Sequence, residues 1–155
     1  VLVNNKNLTT IWFDDNKASV QIIDQRFLPH ELKIVTLTSL EDTEYAIRKM
    51  QVRGAPLIGV TAAFGMYLAS IKNSSNEYME KSGIFLKNAR PTAVNLSWAI
   101  NIILHEIKNI DVDNRKSFIL NMAKKIRKDD IEACKKIGEL SISQSTPLYI
   151  VRLSS

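Results

Sequence analysis

The sequence predicts an α+β fold, a small antiparallel sheet near the N-terminus followed by a mainly α-helical bundle. Three observations carry this. Two β-branched or aromatic runs flank a polar tetrapeptide early in the chain. After Ser39 the apolar spacing changes from alternation to a period of about 3.6. The run from Leu57 to Ala69 is then apolar on every side, as in a helix buried all round. A chain of 155 residues, 45% hydrophobic and 24% charged, has the size and composition of a globular domain with one core.

In chain order, Thr9–Phe13 and Ser19–Ile23 surround Asp14-Asp15-Asn16-Lys17, the pattern of a hairpin. Leu28-Pro29 ends the second arm, and Glu31–Leu37 alternates as a third strand, giving a sheet over about residues 8–38 with one face exposed. His30, beside Pro29, reads as a loop histidine. Ser39 or Thr38 caps the next helix, whose first turn carries Glu41 and Asp42, with Tyr45, Ala46 and Met50 expected on its inner face.

The buried helix follows. At about 15 residues it is shorter than the roughly 20 a membrane span needs. Gly59, Ala62, Ala63 and Gly65 are small enough to admit close neighbours, and Pro56 suits the first helical position. Arg53 stands just before it, at the positive end of the helix dipole, an unfavourable place for a cation. Either it pairs with a carboxylate or lies in solvent, or it joins Gly54 and the free helix N–H groups as an anion receptor.

Asn73–Asn76 reads as a loop, and Glu77–Asn88 as a shorter helix interrupted near Gly83. Arg90 again precedes a proline, Pro91, expected to open a helix running to about Lys108 with Val94, Trp98 and Ile102 on one face. Asn95 either lines a site or bonds a neighbouring backbone. His105 is read as exposed or as a favourable end charge. Arg53 and Arg90 grip one phosphate if the two helix starts converge.

Asp113 or Asn114 opens the last helical stretch, with Phe118, Met122 and Ile126 on one side and Asp129-Asp130 as a break or a polar patch. Ile131, Cys134 and Ile137 continue the stripe, with Cys134 as a small core residue. The single cysteine excludes an internal disulfide and predicts a reducing, cytoplasmic setting. The net charge of +5 concentrates in Lys124–Lys128, a run followed by two aspartates and lacking interleaved aromatic residues. It reads as a solvated helix face, so no nucleic-acid partner is expected. No metal-ligand spacing, Cys-x-x-Cys or nucleophile elbow occurs, and no catalytic residue, metal or cofactor is assigned.

Two long motifs, Val52-Arg53-Gly54-Ala55-Pro56-x-Ile58-Gly59-Val60-x-Ala62-Ala63-x-Gly65 and Arg90-Pro91-Thr92-Ala93-Val94-Asn95-Leu96-x-Trp98-Ala99, closely resemble methylthioribose-1-phosphate isomerases. Asp24-Gln25 with Leu28-Pro29, and Ile137-Gly138-Glu139, are lesser matches, and the resemblance runs in order over about residues 8–139. The wider group includes ribose-1,5-bisphosphate isomerases and regulatory subunits of translation initiation factor 2B. Asn95 and Trp98 favour the methylthioribose enzymes, and the intact Arg-Gly-Ala-Pro argues against the regulatory subunits.

The resemblance implies an aldose–ketose isomerase of methionine salvage, converting 5-methylthioribose 1-phosphate to 5-methylthioribulose 1-phosphate. It implies Arg53, Gly54, Ala55 and Arg90 as substrate-binding positions, a phosphorylated sugar as partner, homodimers, and no cofactor, nucleic acid or membrane. The family's catalytic cysteine and aspartate belong to a Rossmann-like C-terminal domain that these residues do not include. After Glu139 the text departs from the family's His-Gly and the later His-Cys-Asn-Ala-Gly. A displaced reading frame through Pro147–Leu153 permits Phe-Ile-(His or Tyr)-Cys-Lys-Ala, with the cysteine between Ile150 and Val151. The expectation is therefore an N-terminal domain over residues 1–139, helical over about 40–139, and an aberrant, frameshifted tail over 140–155. Such a product would be truncated, inactive alone and prone to self-association. The alternatives are a regulatory binding module related to initiation factor 2B subunits, and one half of a split isomerase.

Overall fold

The structure, a computed structural model, describes residues 2–3, 6–7 and 10–143. Strands β1 (Leu2–Val3) and β2 (Lys6–Asn7) form a short antiparallel pair that the sequence pattern had not suggested. The expected hairpin is β3 (Ile11–Asp14) and β4 (Ser19–Ile23), in register with Trp12 opposite Gln21. Asp14 closes its turn by accepting the N–H groups of Asn16 (3.0 Å) and Lys17 (3.3 Å). β5 (Ile34–Leu37) pairs antiparallel on the far side of β4, giving the order β3-β4-β5. It is shorter than the alternation implied, because the N–H of Glu31 turns back onto the carbonyl of Phe27 (3.0 Å).

The exposed sheet face is corrected at the central strand, where every residue of β4 is buried. Gln21 tolerates burial because both ends of its amide are satisfied: it donates to Ser19 Oγ (2.8 Å) and accepts from Thr36 Oγ1 (2.8 Å).

Helix α1 (Leu40–Arg48) starts at Ser39, whose hydroxyl accepts the N–H of Asp42 (3.1 Å). Its inner face is Leu40, Thr43, Ala46 and Ile47, not Tyr45 and Met50, which are 43% and 44% exposed. The cause lies in how the helix stops. Met50 adopts a left-handed φ of 60°, Gln51 donates to the carbonyl of Ala46 (2.9 Å), and Met50 donates to Ile47 (3.3 Å). This double closure places at Met50 the conformation glycine normally fills. Met50→Gly is therefore expected to raise stability by about 0.5–1 kcal/mol in urea unfolding, since a side chain in that region is strained. A loss of stability would refute this account of the helix end.

Helix α2 (Ala55–Lys72) is the centre of the fold, packed against α1, α3 (Asn76–Lys87), α4 (Val94–Ile107) and α5 (Val112–Ser143). Every residue from Ile58 to Ser70 is buried. The helix has 18 residues and a mean hydropathy of 1.3, so it meets the length and apolarity of a membrane span that the shorter reading denied it, yet 72% of it is buried inside the fold. Its small residues serve close packing. A Cβ on Gly59 would lie 3.1 Å from the carbonyl oxygen of Asn95 in α4, and one on Gly65 would lie 2.6 Å from Thr43 Cγ2 in α1.

Gly83 does not interrupt α3. It is where α3 crosses α4, and a Cβ there would meet Ile100 Cγ2 at 2.9 Å. Helix α5 continues through Asp129-Asp130 without a break for 32 residues. Its basic run is not simply a solvated face. Arg127 Nε donates to the carbonyl of Ile11 (2.6 Å), and Lys124 bonds Asp15 (3.2 Å) and caps the Phe13 ring, so both pin α5 to β3. Phe13 in turn stacks edge-on against Tyr67 of α2. Buried Arg115 ties two loops together by donating to the carbonyls of Ser74 (2.8 Å) and Ile110 (2.9 Å). Ile131 is 37% exposed, while the side chains of Cys134 and Ile137, expected in the core, and the tail from residue 144 lie outside what the structure describes.

Candidate anion-binding site at two helix starts

Helix α2 begins at Gly54, whose φ of 97° is one that side chains rarely adopt. That turn carries the chain from Arg53 directly into Ala55 and Pro56, the first two helical residues. No side chain caps the helix. Among the described residues the N–H groups of Gly54, Ala55 and Leu57 have no acceptor, and Pro56 has no N–H to satisfy. Arg53, Ala55 and Pro56 are exposed. Uncapped donors, the positive end of an 18-residue helix dipole and an exposed guanidinium thus occupy one place.

Among the described residues Arg53 pairs with no carboxylate. Its Nη2 donates to the backbone carbonyl of Gln25 (2.7 Å), and its N–H donates to Gln25 Oε1 (3.2 Å). Gln25 lies just past β4, next to Asp24, which is completely buried. Asp24 Oδ1 accepts the backbone N–H of Arg26 (3.1 Å) and its Nε (3.0 Å). Oδ2 accepts Arg26 Nη2 (2.8 Å) and Gln51 Nε2 (3.1 Å).

Burial by itself pushes the Asp24 carboxyl up, but these hydrogen bonds and the Arg26 charge outweigh it and hold the group below the ordinary carboxylate range. A carboxyl with a lowered folded-state pKa contributes stability above its unfolded-state value and loses it as pH falls through the folded one. Asp24→Asn should therefore unfold more easily at neutral pH and show a flatter loss of stability below about pH 4. An unchanged acid limb in urea titrations at several pH values would contradict this.

Arg90 sits differently from the expected arrangement. Pro91 does not open α4: residues 90–93 form a turn closed by Ala93 donating to the carbonyl of Arg90 (3.0 Å), and the helix begins at Val94. The proline disfavours helical backbone at Arg90 and so leaves it ahead of the helix. Arg90 is half-buried and has no ion pair among the described residues.

The starts of α2 and α4 do come together. Gly59, one turn into α2, abuts the backbone of Asn95, the second residue of α4. Between them opens a cleft of about 470 Å³ lined by Pro56, Gly59, Val60, Val94, Asn95 and Trp98, with Ile126, Asp129 and Asp130 of α5 forming the far wall. Burial raises the Asp130 carboxyl above its ordinary range. Val94 and Trp98 share a helix face as expected, but it is the open one, 78% and 53% exposed, while Leu96, Ala99, Ile100, Ile103 and Ile107 face the core. His30 and His105 are both exposed. Among the described residues no group of His, Cys, Asp and Glu is arranged to hold a metal ion.

The Asp24–Gln51 pairing and the contact of Gln25 with Arg53 are what residue spacing missed. Their separations along the chain are 27 and 28 residues, and only the Asp24-Gln25 match in the family resemblance marked the place.

A profile of the initiation factor 2 subunit family matches residues 51–145, which include both helix starts. The methylthioribose-1-phosphate isomerase of Sinorhizobium medicae is 41% identical over 136 residues, 88% of this chain and 37% of that protein. Among solved structures, 5-methylthioribose 1-phosphate isomerase from Pyrococcus horikoshii superposes with a TM-score of 0.75 at 37% identity, over 84% of this chain and 38% of the other. The delta subunit of translation initiation factor eIF-2B from A. fulgidus superposes with a TM-score of 0.77 at 34% identity, over 86% and 40%. The chain thus spans about two fifths of the length of these relatives, 37–40%. On a match that covers most of its described residues and contains the uncapped start of α2, the chain belongs to the initiation factor 2 subunit family.

Proposed function

We propose that this chain is the N-terminal, phosphate-binding part of an isomerase that converts 5-methylthioribose 1-phosphate to 5-methylthioribulose 1-phosphate in methionine salvage. The observation that carries the reading is the uncapped start of α2, where exposed Arg53 immediately precedes Gly54 and Ala55, whose N–H groups have no acceptor among the described residues. Arg90, ahead of the adjoining start of α4, is the second cation of the site. A sugar phosphate suits such a receptor because its dianion is matched by a guanidinium and oriented N–H groups without any metal.

Binding is the part of the reaction these residues perform. Aldose–ketose isomerisation needs a group to move a proton between neighbouring carbons, and the four residues assigned to the phosphate, Arg53, Gly54, Ala55 and Arg90, offer guanidinium and backbone N–H groups only. Asp129 and Asp130 of α5 line the adjoining cleft together with Pro56 and Gly59, and no proton transfer is assigned to them. The 155 residues alone are accordingly expected to bind 5-methylthioribose 1-phosphate without turning it over.

Isothermal titration with the sugar phosphate, alone and against inorganic phosphate, tests binding, and a coupled assay for the ketose tests turnover. Competitive, saturable binding without product supports the reading. Absence of binding overturns it, and product formation overturns the claim of inactivity. The exposed Val94 and Trp98 favour self-association in the same preparation.

The likeness to the eIF-2B delta subunit supports a second reading, a non-catalytic binding module. Capture of a purified translation initiation factor 2 by the chain, with no affinity for the sugar phosphate, would favour it.

A further inference from the structure

We infer that Gln25 is a positioning residue for Arg53, the clasp that aims its guanidinium at the anion cradle; this rests on the phosphate-binding reading above. Arginine side chains are long and lose much rotamer freedom when fixed, so an exposed one is ordinarily a loosely aimed charge. Here two bonds to a single residue restrain it. The side-chain carbonyl of Gln25 holds the Arg53 backbone N–H (3.2 Å), and its backbone carbonyl holds Arg53 Nη2 (2.7 Å).

Gln25 is itself fixed from behind. Its N–H donates to the carbonyl of Gln51 (2.9 Å), and the Gln51 side chain is anchored on buried Asp24 (3.1 Å). The end of β4 and the segment leading into α2 are thereby zipped together across Asp24–Gln25 and Gln51–Arg53. One of five guanidinium N–H donors is spent on Gln25, and the rest stay available to an anion. A carboxylate in place of the Gln25 amide would still accept the Arg53 backbone N–H but would set a negative charge beside the guanidinium. The neutral amide fixes the Arg53 backbone, the Gln25 backbone carbonyl orients the guanidinium, and the cation's charge is left for the ligand.

Inorganic phosphate and 5-methylthioribose 1-phosphate, titrated into the full 155-residue chain and its variants, test this. Gln25→Met, which keeps the length and removes the acceptor, should weaken binding about fivefold. Gln25→Glu, which keeps the acceptor and adds a charge, should weaken it by about tenfold or more. In an Arg53→Ala background neither change should weaken binding further, which a merely structural role for Gln25 would not produce. Thermal unfolding of each variant records its fold independently.

If the unmutated chain binds neither probe, the phosphate reading fails and the role of Gln25 with it. If Arg53→Ala loses binding while both Gln25 variants retain it in full, the clasp alone is overturned. Weakening by Gln25→Met that is equal in the presence and absence of Arg53 also overturns it.

Discussion

Gly65→Val is expected to cost the fold about 3 kcal/mol, near the upper end for inserting atoms into a filled core. The position has no room even for a methyl group, since a Cβ would stand 2.6 Å from Thr43 Cγ2 and 3.1 Å from Leu86 Cδ1. Thr43 cannot swing aside cheaply. It is fully buried, and its hydroxyl is held by the carbonyl of Ser39 (3.1 Å) at the start of α1. The clash therefore pushes α1 off α2 rather than reorienting one side chain.

Gly65→Ala separates this from helix propensity. Alanine favours a helix interior by about 1 kcal/mol over glycine, so an open site would gain stability. Here the crowding should outweigh that gain. Thr43→Ala, which removes the opposing methyl, should recover much of the loss in the Gly65→Ala background. Urea midpoints of the two single variants and the double variant check the cycle, and a Gly65→Ala protein more stable than the parent contradicts the close approach.

Arg53→Ala is expected to weaken 5-methylthioribose 1-phosphate binding by about tenfold to a hundredfold, the range for losing a hydrogen bond to a charged group. Arg90→Ala should fall in the same range if both cations serve one phosphate. Arg53→Lys should recover only part, because an ammonium keeps the charge and loses the planar fork. Lys125, exposed on α5, is the control. Lys125→Ala should leave affinity unchanged at moderate salt, where distant surface charges are screened. Equal weakening by Arg53→Ala and Lys125→Ala would mean that general positive charge, not a site, attracts the sugar phosphate.

The legible parts of this molecule are those set by local chemistry. The Asp14–Lys17 turn, the Ser39 cap and the unbroken apolar run in α2 depend on residues a few positions apart, and periodicity finds them. The uncapped helix start after Arg53 was legible for the same reason. What periodicity misread were choices made by distant partners. Gly83 resembles a break until Ile100 is brought against it, and Gln21 resembles a solvent-facing residue until Thr36 closes its amide. The Val94 and Trp98 stripe was found by its helical spacing, which does not tell that this face of α4 is the open one. Arg90 was misplaced because a proline near a helix suits a preceding turn as well as a first helical position.

The central claim is that the start of α2, beside the start of α4, is where a sugar phosphate lands. Backbone amide NMR spectra of the 155-residue chain, recorded while 5-methylthioribose 1-phosphate is added, test it most directly. The predicted result is saturable shifts concentrated at Arg53, Gly54, Ala55 and Leu57 and at Arg90–Val94, with the Arg53 side-chain Nε–H moving at the same ligand concentration. Shifts that gather instead on Lys124–Lys128, or a spectrum the ligand leaves untouched, would contradict it.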